Sequence, residues 1–115
     1  MNDKQEEQDK LSRLGIPHSF VIANMPHRVE LVRNATDSKG NDTFGYYTPT
    51  TSVITLGEYI MEKRGRELKV PDEQILNTFY HELFHAFNFY WNNEFSEELA
   101  QTFSNFMREF QTSKK

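Results

Sequence analysis

The 115-residue sequence contains no cysteine. Disulfides, thiolate metal sites and cysteine nucleophiles are excluded, so any metal must be held by His, Asp or Glu. No apolar run approaches the roughly 20 residues needed to span a bilayer. The first ten residues, MNDKQEEQDK, lack the apolar segment of a secretory signal. There is no excess of basic residues either. The net charge is -4 with both signs interspersed, so nucleic acid is not the expected partner. These absences predict a cytoplasmic protein that engages neither membrane nor nucleic acid. The length fits one domain, residues 1–115, with one modest core and no second lobe to close a cleft. Aromatic residues are abundant, at 14%, and Phe contributes 10 of them, so a few large side chains must fill much of that core.

Residues 1–14 are highly charged without apolar periodicity, which predicts either a frayed helix or a disordered segment, ended by Gly15-Ile16-Pro17. HSFVIA is a short apolar run, a strand or a segment packed on the sheet. In HRVELVRN, Val29 and Leu31 alternate with polar neighbours, the mark of a strand with one buried face. ATDSKGNDT reads as a loop. FGYYTPTTSVITL reads as a hairpin turning at Thr48-Pro49-Thr50-Thr51. From Gly57 to Val70 the pattern weakens: a short helix broken at Gly65, or an irregular connection, with Lys63, Arg64 and Arg66 in a solvated loop. A helix then starts at Pro71-Asp72-Glu73, and Leu76, Phe79, Leu83, Phe87 and Tyr90 form a stripe expected to face the core. A second helix starts at Ser96, with Ala100, Phe103, Met107 and Phe110 inward and Leu99 and Phe106 on the margins. The expected fold class is α+β, a small sheet of about three strands packed on two C-terminal helices.

The first of these helices carries YHELFHAF, a His-Glu-x-x-His pattern. Residues four apart lie on one helical face, so His81 and His85 can direct two imidazoles at one point. Zinc accepts nitrogen ligands at about 2.0–2.1 Å, which this spacing permits. Glu82 projects about 100° round the helix from His81. That is too far to share the metal comfortably, but suits a hydrogen bond to a water on it. Bound zinc lowers the pKa of its water to about 7. A carboxylate beside that water can take its proton and later return it to a leaving amine. The apolar Leu83 and Phe84 at the variable positions suit a half-buried helix, and Ala86 leaves room for a neighbour.

Two histidines hold zinc poorly, so a third protein ligand is required. His18 and His27 lie upstream and read as surface or strand residues. A carboxylate is therefore expected from NEFSEELAQTF, which offers Glu94, Glu97 and Glu98. Glu97, three residues before Ala100, falls on the inward phase, whereas Glu98 shares its face with Gln101, Thr102 and Asn105. Glu97 is the favoured ligand and Glu98 its competitor; a plain acidic preference for a helix N-terminus is the alternative reading of Glu97.

HELFHA followed by EELAQTF resembles the gluzincins, in which two motif histidines and a downstream glutamate bind zinc. The small size is similar to that of minimal gluzincin-like proteins of phages and prophages, and more distantly to ImmA/IrrE-type metallopeptidases. The resemblance spans roughly Val29 to Phe110. It implies a zincin-like domain with His81, His85 and Glu97 as zinc ligands and Glu82 as catalytic base. A peptide substrate would pair with the sheet edge, for which SVITL is the expected strand. The chain departs from the pattern in its longer linker after the hairpin. Gln101 stands where an acid supports a ligand histidine in thermolysin-like enzymes. Tyr46, Tyr47 and Tyr90 are candidate oxyanion stabilisers, each with a packing role as the alternative. Two functions follow: a zinc-dependent peptidase acting on a protein or peptide, or a non-catalytic binding or regulatory module stabilised by zinc.

Overall fold

A computed structural model describes residues 3–22, 24–92, 100, 101, 103–105, 107 and 108. Helix α1 (Asp3–Arg13) is followed by six strands and a long helix α2 (Asp72–Asn92). The strands are β1 (Ser19–Ile22), β2 (Met25–Thr36), β3 (Asp42–Thr43), β4 (Gly45–Thr48), β5 (Val53–Met61) and β6 (Glu67–Lys69). Residues 100, 101, 103–105, 107 and 108 are also helical. The six strands form a mixed sheet in the order β1-β2-β5-β4, with β3 on β2 and β6 on β5. The chain is α+β but rich in sheet, which corrects the expected three strands on two C-terminal helices. The strands that pattern did not reveal are short. β3 and β6 have two and three residues, too few for an alternation to register, and backbone pairing to β2 and β5 defines them.

The N-terminal stretch is helical because of one anchor. Leu11 is 0% exposed in the core cluster, and a single apolar residue creates no periodicity. Polar contacts add to it: Leu31 N–H donates to Glu7 Oε1 at 3.2 Å, and Lys10 Nζ pairs with Glu58 at 2.9 Å. In β2, His27, Val29, Leu31 and Ala35 are buried, as alternation predicts for a strand with one covered face. In β5 the run Val53–Gly57 is buried throughout. A continuous apolar run of this kind marks a strand covered on both faces.

That burial has a second consequence. β5 is central, parallel to β2 and antiparallel to β4. SVITL is therefore not the edge strand; among the described residues the ends of the path are β1 and β4, and β4 is the one beside β5. The hairpin joining them turns at the expected residues, with Thr51 and Ser52 N–H donating to Thr48 O at 3.3 and 2.8 Å. The stretch from Gly57 to Val70 is neither a helix nor an irregular connection. β5 continues to Met61 and returns as β6. The turn closes through Gly65 N–H to Glu62 O at 2.9 Å, with Gly65 at φ +83°, a backbone conformation that glycine adopts without strain. Lys63, Arg64 and Arg66 are exposed there, as expected.

Helix α2 begins after Pro71, whose carbonyl accepts from Gln74 and Ile75 N–H. Its apolar stripe needs correction. Phe79 is buried, and Leu76 and Leu83 pack against the core, but Phe87 is 51% exposed. The inward face runs through Ile75, Phe79 and Ala86. Of the later inward positions, Ala100 is buried and Met107 packs on the core. The Tyr90 side chain, Glu94, Ser96, Glu97, Glu98, Leu99, Phe106 and Phe110 lie outside the described residues. Among the described residues no helix is long and apolar enough to cross a membrane.

Candidate metal centre

His81 and His85 stand one turn apart on α2 with ring centroids 5.0 Å apart and planes inclined by 74°. Ligand atoms of His81, Glu82 and His85 all lie within 4.8 Å of one another, a group that could hold a metal ion. His85 is 2% and Glu82 7% exposed, while His81 is half-buried. The Glu82 carboxylate thus comes closer to both imidazoles than its angular position on the helix suggests. Removing a carboxylate and an imidazole from water is costly without compensating partners, and a cation shared between them is one such partner.

The group opens into a cavity of about 360 Å³ between α2 and β4. The helix contributes Gln74, Asn77, Thr78, His81, Glu82 and His85 to its lining, and the strand contributes Gly45, Tyr46 and Tyr47. Asp37, Thr43, Phe44 and Gln101 complete it. Gly45 sets its width. A Cβ there would lie 2.7 Å from Thr55 O and 2.8 Å from Thr78 Cγ2, so only glycine lets β4 approach the helix this closely. Asn77, His81 and His85 follow one another at four-residue intervals on the same ridge of α2. That spacing is the sequence signal for Asn77, whose amide is not among the His, Asp and Glu ligand types.

His27 lies in β2, as a strand residue should, but it is buried rather than on the surface, and it does not line the cavity. His18 is exposed. His27 sits between the rings of Phe20 and Tyr47, with centroids 5.2 and 5.9 Å away. Its Nδ1 is 2.8 Å from Met25 O and its Nε2 is 3.2 Å from the Tyr47 hydroxyl. A carbonyl only accepts, so Nδ1 carries the hydrogen. In the neutral ring Nε2 is then an acceptor, and Tyr47 O–H donates to it. Tyr47 therefore directs its proton at His27, which argues against the oxyanion-stabilising role considered for it. Tyr46 lines the cavity from the same strand.

Gln101 lines the cavity and donates to Asn105 Oδ1 at 3.0 Å. Glu97, the expected third ligand, is outside the described residues.

No protein-family model matches the chain, and no curated protein or solved structure is significantly similar to it. What the site can do must follow from its donors. Imidazole nitrogen with carboxylate oxygen and no thiolate suits zinc and other first-row divalent ions.

Proposed function

We propose that the protein is a zinc-dependent metallopeptidase in which His81, His85 and Glu97 hold the metal and Glu82 is the general base. The observation that carries this reading is the convergence of His81, Glu82 and His85 at the wall of a cleft whose opposite side is an outer strand. When bound, zinc would polarise the carbonyl under attack and lower the pKa of a coordinated water to about 7. His81 and His85 would fix its position from one rigid helix. Glu82 would take a proton as attack begins and return it to the leaving amine. An extended peptide would lie along β4, pairing with its outer backbone groups and presenting its scissile bond to α2.

Glu97 has indirect support. Ala100, three residues on, is fully buried, and Gln101, four residues on, lines the cavity. A non-catalytic zinc module would share the ligands but would not need Glu82 beside them.

Elemental analysis and peptide cleavage separate the readings. The wild-type chain should purify with one zinc per molecule. Glu82→Gln should keep the metal and lose cleavage by about 10²–10⁴-fold. Glu97→Ala should lower zinc occupancy far more than Glu98→Ala. Loss of metal from Glu82→Gln would make Glu82 a ligand, and a metal-replete wild type that cleaves no peptide would favour the non-catalytic module.

A further inference from the structure

The cavity extends past the histidine pair to Asp37, Thr43, Gln74, Asn77 and Thr78. Several side-chain donors of the lining are already engaged. Thr43 O–H donates to Gly45 O at 3.1 Å, and Gln74 Nε2 donates to Thr78 Oγ1 at 3.0 Å. Gln101 Nε2 donates to Asn105, and Tyr47 O–H to His27. These four donors are committed within the protein, whereas one buried acceptor of the lining is not. Asn77 is 7% exposed, and its Oδ1 is buried and accepts no hydrogen bond among the described residues. A buried acceptor left without a donor is costly, and such groups in folded proteins mark a place that something else completes.

Asp37 adds charge. Its Oδ1 accepts Lys39 and Asn41 N–H, both at 2.9 Å. Among the described lining residues there is no Lys or Arg to neutralise it. The wall thus presents a buried amide oxygen that no described donor reaches and a carboxylate with no basic residue among its described lining neighbours.

We propose that this end of the cavity is a subsite for a basic side chain, the guanidinium or ammonium group of an Arg or Lys in a peptide. Such a group brings several N–H donors and a positive charge together, matching Asn77 Oδ1 and the Asp37 carboxylate. The identity of the ligand as a substrate side chain rests on the peptidase reading; the chemistry of the subsite does not. Asp37 and Asn77 are specificity residues here, and the bond-breaking step requires neither.

The test is a titration of the full chain, isotope-labelled for NMR, with three blocked amino acids: N-acetylarginine, N-acetylnorleucine and N-acetylglutamate methylamides. The arginine compound should give saturable shifts at the Asn77 side-chain amide and at the Thr43 and Phe44 backbone amides. It should bind about tenfold more tightly than the norleucine compound, as a charge-assisted contact allows. Asp37→Asn keeps the oxygen that accepts the turn's two N–H groups, and should remove most of that preference. Asn77→Leu should do so too, and Asp37→Asn remains the deciding variant if Asn77→Leu fails to fold. Equal binding of arginine and norleucine, no saturable shift with arginine, or an unchanged preference in Asp37→Asn would each overturn the subsite. Cleavage of a peptide mixture, followed by mass spectrometry, keeps the two readings apart. Hydrolysis without preference for basic residues sinks the subsite and leaves the peptidase. Arginine binding by a chain that hydrolyses nothing does the reverse.

Discussion

The substitution Gly45→Ala tests how closely β4 and α2 must approach. The added Cβ would meet Thr55 O at 2.7 Å, Thr78 Cγ2 at 2.8 Å and Leu56 Cδ2 at 3.2 Å. The first contact is with backbone of the paired strand and cannot turn aside. The second is a methyl on the facing helix. Overpacking of this kind costs about 1–3 kcal/mol. Alanine also restricts the unfolded chain, which offsets about 0.4–1 kcal/mol. A net loss of about 1–2 kcal/mol is expected, and with a urea m-value of about 1–3 kcal/mol/M the midpoint should fall by roughly 0.5–1 M. Thr78→Ser removes the clashing methyl and keeps the Oγ1 that accepts from Gln74. In that background Gly45→Ala should cost about half as much, because the Thr55 clash persists. Zinc stoichiometry should not change, since both histidines sit on the helix. If Gly45→Ala were as stable as wild type, or Thr78→Ser gave no relief, the close approach of strand and helix would be refuted.

Other perturbations probe the supports around the cleft. His27→Leu leaves the Tyr47 hydroxyl without its acceptor and should destabilise by about 1–3 kcal/mol in urea, with Tyr47→Phe added in the same chain recovering part of the loss; full additivity would deny the pair. Glu58, by hydrogen bond and charge, raises the Lys10 pKa above its ordinary value. The pair's stabilisation is then fully present below about pH 10.5 and is lost as pH rises through the folded-state value. Lys10 is partly exposed, so Lys10→Met should cost only a few tenths of a kcal/mol at neutral pH and nothing at strongly alkaline pH; a cost that grew with pH would contradict the sign. Zinc at a hundred times its Kd should add about 2.7 kcal/mol of stability, and a chelator should remove it; a melting temperature indifferent to both would count against the metal centre.

The chain announced some of this plainly and some not at all. The His81–His85 pair was legible because a four-residue interval on a helix has one geometric meaning. The start of α2 at Pro71-Asp72 and the β4–β5 turn were legible because proline and acids act locally. β6 was not, because Glu67–Lys69 are partly or fully exposed and owe their strand geometry to pairing with β5 rather than to their own side chains. The place of β5 was misjudged for a related reason: hydrophobicity reveals that a strand is covered, not by what. Its buried run Val53–Gly57 was in fact the clue that it could not be an edge.

The stripe on α2 misled in a more instructive way. Reading apolar residues as inward placed Phe87 in the core, where it is not, and gave no weight to the polar residues between. Yet Asn77, Thr78, Glu82, His85 and Asn88 are all buried. A helix with one apolar and one buried polar face is poorly explained by packing alone, because each polar group lost hydration on folding and needs a partner in exchange. Structural hydrogen bonds account for some of that, as Gln74 to Thr78 does. They do not account for the Asn77 amide oxygen, which no described donor reaches. His81, Glu82 and His85 form a group that could hold a cation, and the Asn77 oxygen suits a hydrogen-bond donor that enters the cleft.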